Sequence, residues 1–144
     1  MSTQVRYMAG LALALVLALT GCAGGGFAPE QPLEQTGWQL ENLNGDEPVG
    51  DRQLTLSFED GQATGQAGCN AFGGSYRQQS DSLTFSELMQ TLMACPGAEG
   101  IMEQERAYMD ALGATERFEL RNGSLVLFDG QDQPLLVFSQ IAAQ

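Results

Sequence analysis

Residues 67–76 read AGCNAFGGSY, a cysteine and an asparagine set among glycines. A thiol beside a side-chain amide in a tight loop fits three chemistries: a nucleophile, a metal ligand or half of a disulfide. The chain of 144 residues has no histidine. That removes the Ser-His-Asp and Cys-His schemes and the commonest zinc sites. With no base to activate its thiol, Cys69 reads as a staple rather than a nucleophile. Asn70 has two readings. Its amide could face a ligand in a binding loop, or it could satisfy the backbone of its own sharp corner, as asparagines in turns commonly do. The structural reading is the favoured one.

Carboxylates are the other candidates. Glu99, Glu103, Glu105 and Asp110 fall in one segment, and Glu99 and Glu103 are four residues apart, neighbours on a helix. A hydrolase using them is the main enzymatic alternative. Nothing near them organises a nucleophile or an oxyanion hole, so no catalytic residue is assigned. Asp129-Gly130-Gln131-Asp132 offers oxygen ligands for calcium, but the EF-hand spacing is missing and a turn explains it. No metal site and no cofactor are assigned.

The N-terminus sets the compartment. Leu11 to Leu19 is almost wholly Leu, Ala and Val behind Arg6, the length of a signal-peptide apolar region and too short to span a bilayer. Leu19-Thr20-Gly21-Cys22 resembles the bacterial lipobox, which implies cleavage before Cys22 and a diacylglycerol on its thiol. An ordinary secretory signal with a chance cysteine is the bland alternative. Several acyl chains, at about 0.8 kcal/mol per buried methylene, anchor stably. Ala23 rather than an aspartate implies sorting to the outer membrane, with the domain in the periplasm. The expected organisation is a signal peptide over 1–21, the acylated cysteine and a flexible tether over 22–35 (Gly-, Pro- and Gln-rich), and a single domain over 36–144. In an oxidising periplasm Cys69 and Cys95, left over once Cys22 is lipidated, are expected to pair. Such a bridge stabilises by about 3–4 kcal/mol on the chain-entropy model.

Six arginines and no lysine face 18 acidic residues, a formal net charge of −12. Cleavage would remove Arg6 and leave the mature chain more acidic still. Such a surface repels nucleic acid and anionic headgroups and favours cationic partners or plain solubility. The expected partners are the membrane, through the lipid on Cys22, and an envelope protein; the domain is expected to be a monomer.

The elements that must position these residues follow from periodicity. Trp38 and Leu40 alternate with polar neighbours. Leu54, Leu56 and Phe58 do so in the next run, and Asp60-Gly61 marks a hairpin. A strand is expected through Ala63, Gly65, Ala67 and Cys69, its small inward residues overlain by something bulky, Trp38 or the helix. A short strand over Gly73–Arg77 and the pair Leu83 and Phe85 come next. Glu87 to Cys95 reads as extended or irregular. Residues 98–112 are the one helix, with Ile101, Met102, Tyr108, Met109 and Leu112 on one face and Glu105 in its middle. Glu105 either reaches past the core edge to water, or is a buried carboxylate holding loop N–H groups or hydroxyls near Asn70 or Thr91. Three strands then form a meander with turns at Asn122-Gly123 and Asp129-Gly130. The expected fold is α+β: an antiparallel, strongly curved sheet or partial barrel of about seven to eight short strands packed with one helix.

In order, Trp38, Gly65-Gln66-Ala67-Gly68-Cys69-Asn70, Gly74-Ser75-Tyr76, Thr91-Leu92-Met93-Ala94-Cys95-Pro96, Met102-Glu103-Gln104-Glu105, Leu125–Phe128 and Leu135–Phe138 resemble the META domain family. This family is also called HslJ-like. The match spans nearly all of 36–140, and the GCN and TxMACP pairing followed by a Glu-bearing helix is its most specific part. The resemblance implies a small β-rich envelope lipoprotein with one helix, linked to stress responses. It carries no established catalytic mechanism. The family's shape has been likened to secretin pilot lipoproteins, an analogy at the level of fold alone. Asn70, Tyr76, Thr91 and Glu105 are the expected structural or binding residues. The function expected is a non-catalytic binding or accessory module; the alternatives are a carboxylate hydrolase or a calcium- or small-ligand-binding domain.

Overall fold

The computed structural model describes residues 32–95 and 99–142. In chain order these form β1 (Thr36–Leu43), β2 (Thr55–Glu59), β3 (Gln62–Gln66), β4 (Ala71–Gln79), β5 (Ser82–Gln90), α1 (Ile101–Gly113), β6 (Arg117–Arg121), β7 (Ser124–Phe128) and β8 (Pro134–Ile141). Asp60-Gly61 and Asn122-Gly123 are two-residue turns in which both positions have positive φ: 50° and 74°, then 50° and 82°. That geometry matches the twist of the flanking strands, and Asp-Gly and Asn-Gly are the pairs that adopt it most readily.

Each strand pairs antiparallel with the next, and β8 returns to pair with β1, Leu40 opposite Phe138. The expected curved sheet therefore closes into a ring, an uneven one. β5 and β6 share a single register pair, Ser82 with Arg117, helped by Leu83 N–H to Glu116 O at 3.0 Å and Phe118 N–H to Asp81 O at 2.9 Å. α1 connects these two strands in sequence and packs beside β5.

Leu54, Leu56 and Phe58 are buried as their alternation requires, with Leu83, Leu125, Leu127, Leu136 and Phe138 from the other strands. Tyr108 of α1 enters this core. Its ring lies 5.7 Å from Phe72 and 6.3 Å from Phe138, edge-on to both, and its hydroxyl donates to Thr55 O at 3.1 Å. The small residues of β3 are overlain by Phe72 and, behind it, the helix. At Gly65 any Cβ would lie 1.9 Å from Thr55 O and 2.9 Å from the Phe72 ring.

Four details depart from expectation. β3 ends at Gln66 rather than running through Cys69, because Gly68 at φ 122° turns the chain. α1 starts at Ile101, behind Gly100 at φ 81°, rather than at Ala98, which lies outside the described residues. Its buried face is Ile101, Gln104, Glu105, Tyr108, Ala111 and Leu112, so Met102 is exposed and Met109 half-buried. The face centres on Tyr108 instead of Glu105, a rotation of about 60° at 3.6 residues per turn. Finally, the packed body begins before Thr36. Leu33 is fully buried, Thr36 Oγ1 donates to Leu33 O at 2.5 Å, and Glu34 bonds the barrel. The rest of the expected tether, Cys22 and the signal segment lie outside the described residues.

Candidate functional site

The register places the loops at two ends. Thr36 opposite Phe58, with the Asp60-Gly61 turn beyond, and Gly37 opposite Ile141 set the start of β1 and the end of β8 at one end. Gln66 opposite Ala71 and Phe72 opposite Gln90 set residues 67–70 and 91–95 at the other.

At that second end Asn70 is 1% exposed and Glu105 2%. One Glu105 oxygen accepts the Asn70 main-chain N–H at 2.8 Å, and the other accepts its Nδ2 at 2.8 Å. Asn70 Nδ2 also donates to Met93 O at 3.2 Å. Asn70 Oδ1 accepts from Thr91 Oγ1 and from Met93 N–H, both at 2.7 Å. The Asn70 carbonyl accepts Ala67 N–H at 2.8 Å. Both donors of the amide and both lone pairs of its oxygen are thus engaged. A buried carboxylate is tolerable when donors converge on it in this way.

Cys69 is bonded to Cys95, their Cα atoms 5.9 Å apart, so the covalent link runs beside the polar one. Gly68 lies against the helix: a Cβ there would stand 3.4 Å from Ile101 Cγ2. One residue before Glu105, Gln104 clamps the 44–54 loop, accepting Val49 N–H at 2.6 Å and donating to Val49 O at 3.2 Å. The start of α1 therefore fixes three loops. On the loop held by Asn70 and the disulfide, Leu92 is 92% exposed and Met93 is exposed as well.

Tyr76, expected to act with these residues, belongs to the opposite end, where its N–H donates to Gly61 O at 3.1 Å. Its ring packs edge-on to Phe58 at 4.8 Å. Its hydroxyl donates to Glu34, whose other oxygen accepts Asp60 N–H at 2.5 Å. Burial, then the hydrogen bond to Glu34, push the Tyr76 phenol up. The Tyr76 hydrogen bond, then that of Asp60, hold the Glu34 carboxyl below its usual value. Glu34 was hidden in what reads as tether. Gln104 carried a faint signal, adjacent to an acid already on the apolar face.

The alternative carboxylates do not converge. Glu99, Glu103 and Asp110 are exposed while Glu105 is buried. Asp129 Oδ1 accepts the N–H groups of Gln131 and Gln133, both at 2.9 Å, and Asp132 accepts Arg117 Nε at 2.8 Å. Among the described residues no group of three or more Cys, Asp or Glu side chains is placed to hold a metal ion.

A family model, META domain, matches residues 31–142. Its start agrees with the packing of Leu33 and Glu34. A comparison with curated proteins finds no match. Among solved structures, an NMR structure of a protein from Burkholderia xenovorans is 27% identical, with 77% of this chain and 85% of that one covered and a TM-score of 0.62. A second NMR structure is 24% identical over 75% and 91%, with a TM-score of 0.61. The crystal structure of a DUF4847 family protein from Bacteroides vulgatus ATCC 8482 shares the fold at 11% identity, over 78% and 96%, with a TM-score of 0.59.

Proposed function

The chain belongs to the META domain family, and on that footing we propose that it is an outer-membrane lipoprotein of the cell envelope whose domain is a non-catalytic binding or accessory module linked to envelope stress. The observation that carries the binding role is the contrast at one end of the ring. Asn70, Glu105 and Thr91 are engaged with one another and with loop backbone, which leaves them a positioning task. The loop they position presents Leu92 and Met93 to solvent. Exposed apolar side chains on a clamped loop suit contact with a partner, because little entropy is lost on binding.

The anchor reading rests on the lipobox-like Leu19–Cys22 segment. Pro32, the first described residue, lies beside the Ser80-Asp81 turn, at the end of the ring opposite Leu92.

The test uses the full chain expressed from its own N-terminus and purified from detergent-solubilised envelope. A stoichiometric envelope protein should co-purify, be lost with Leu92→Asp, and be kept with Glu103→Gln. Mass spectrometry should find an acylated Cys22 as residue one, and Cys22→Ser should release the domain from membranes. A partner kept equally by Leu92→Asp moves the contact elsewhere. An unacylated Cys22 ends the lipoprotein reading.

A further inference from the structure

On the outer face of the ring, β4 and β5 do not run in even register. Gly73 stands opposite Met89 and Ser75 opposite Ser86, so Glu87 and Leu88 together face Gly74. Glu87 sits at φ 55°, the extra residue of a β-bulge, a device that re-aims a side chain. Beside it lies a groove of about 300 Å³ with Gly73 and Gly74 as its floor and Gln62, Thr64, Ser75 and Met89 around it.

The two glycines are bare for different reasons. At Gly74 a Cβ would stand 2.8 Å from Ser86 O, so the bulge itself demands glycine. At Gly73 the nearest atom would be Thr64 Cγ2 at 3.7 Å, and φ is not left-handed. The fold would accept a side chain there, but the groove would be filled. Met89 is 75% exposed at the rim, and among the described residues Glu87 has no ion-pair partner.

We propose that this groove receives a basic side chain, arginine above lysine, from a partner polypeptide. The stem would lie on the glycine floor against Met89. The cation would meet the Glu87 carboxylate, with the Ser75 hydroxyl and the Gln62 amide oxygen as further acceptors. A planar guanidinium suits a flat glycine floor and a carboxylate better than an ammonium does, and a long basic side chain is apolar along its stem. Locally the charge is the single Glu87 carboxylate, with the exposed Arg77 two residues beyond Ser75 on β4; globally the whole chain carries a net charge of −12, which steers cationic partners toward it. β5 runs from Met89 directly toward Leu92, so the groove extends the surface proposed above. It rests on that reading and specifies the partner's chemistry.

The probe is tetra-arginine with blocked ends, titrated into isotope-labelled full chain in a neutral detergent, with tetra-lysine and tetra-glutamate for comparison. Amide shifts should concentrate at Thr64, Gly73, Gly74 and Met89, and tetra-glutamate should cause none. Glu87→Gln and Gly73→Val should each weaken tetra-arginine by at least about fivefold, whereas Glu103→Gln, the same charge change at an exposed residue that does not line the groove, should weaken it by less than about twofold. Equal losses in Glu87→Gln and Glu103→Gln would mean diffuse attraction to an acidic surface and would overturn the proposal. So would shifts centred elsewhere, or an unaffected Gly73→Val whose spectrum shows it folded. Co-purification lost through Leu92→Asp is read separately, so the groove can fail while the binding module stands.

Discussion

Asn70 and Glu105 are joined twice, main-chain N–H to one carboxylate oxygen and side-chain amide to the other, each at 2.8 Å, across 35 residues of sequence. The pair ties a loop between β3 and β4 to the first turns of α1. Through the Asn70 amide oxygen it also fixes the segment after β5.

Replacing Glu105 by glutamine puts an amide where two donors converge, and one contact must break. Glu105→Gln should cost about 2 kcal/mol or more, in line with hydrogen bonds to buried charged groups. Glu103→Gln, on the exposed face, should cost less than about 0.5 kcal/mol. Urea unfolding of the two variants decides it, and equal midpoints would mean that Glu105 makes no net contribution.

Removing the Cys69–Cys95 bridge as Cys69→Ser with Cys95→Ser should cost about 3 kcal/mol, read as a melting temperature several degrees lower with the same circular dichroism. Amide exchange should quicken first at Asn70 and Met93, whose bonds the bridge flanks. An unchanged melting temperature against the oxidised parent would show that the bridge is not a staple.

Acidification should weaken the opposite end of the ring. The Glu34 carboxyl is held below its ordinary 4.5. It therefore adds stability that is present above that value and is lost as pH falls through the lowered one. Glu34→Gln should flatten the acid limb of a stability–pH curve, and Tyr76→Phe should flatten it too by removing the donor. At the other extreme, the phenols of Tyr76 and Tyr108 are both pushed up, chiefly by burial. Stability should hold until about pH 10, where phenols ionise in the unfolded chain, and decline above it.

Gly65 and Gly73 should respond in opposite ways to one methyl group. At Gly65 the methyl meets backbone at 1.9 Å, and at Gly73 it meets only ordinary contact at 3.7 Å. Gly65→Ala should lose several kcal/mol or fail to fold, whereas Gly73→Ala should stay within about 0.5 kcal/mol of the parent. Matching melting curves would contradict the packing of β3 beneath Phe72.

Local chemistry was easy to read in the sequence, and long-range pairing was not. Asp60-Gly61 and Asn122-Gly123 identify their turns because few residue pairs accept positive φ at both positions. An acid on an apolar stripe marks Glu105 as unusual and points to loop groups near Asn70 or Thr91, but only the closed ring decides between that reading and a side chain reaching water. The contact between Gln104 and Val49 spans 55 residues, and that between Glu34 and Tyr76 spans 42. No local period reports either. By hydrophobicity Met102 reads as inward-facing, because apolar pattern alone cannot fix the rotation of a helix when a glutamine and a glutamate occupy its buried face. Ring closure was hidden for a similar reason: the β1–β8 pairing joins the two ends of the domain.

That last pairing bears on how the domain is made. A chain growing from its N-terminus can complete the hairpin turns one after another, but β1 has only β2 beside it until residues 134–141 have emerged. During that interval one side of β1 and the edge of β7 carry unpaired N–H and C=O groups, each a template for a foreign strand. The final eight residues of sheet thus act as a latch, and a chain truncated ahead of Pro134 would keep its local hairpins yet expose two sticky edges.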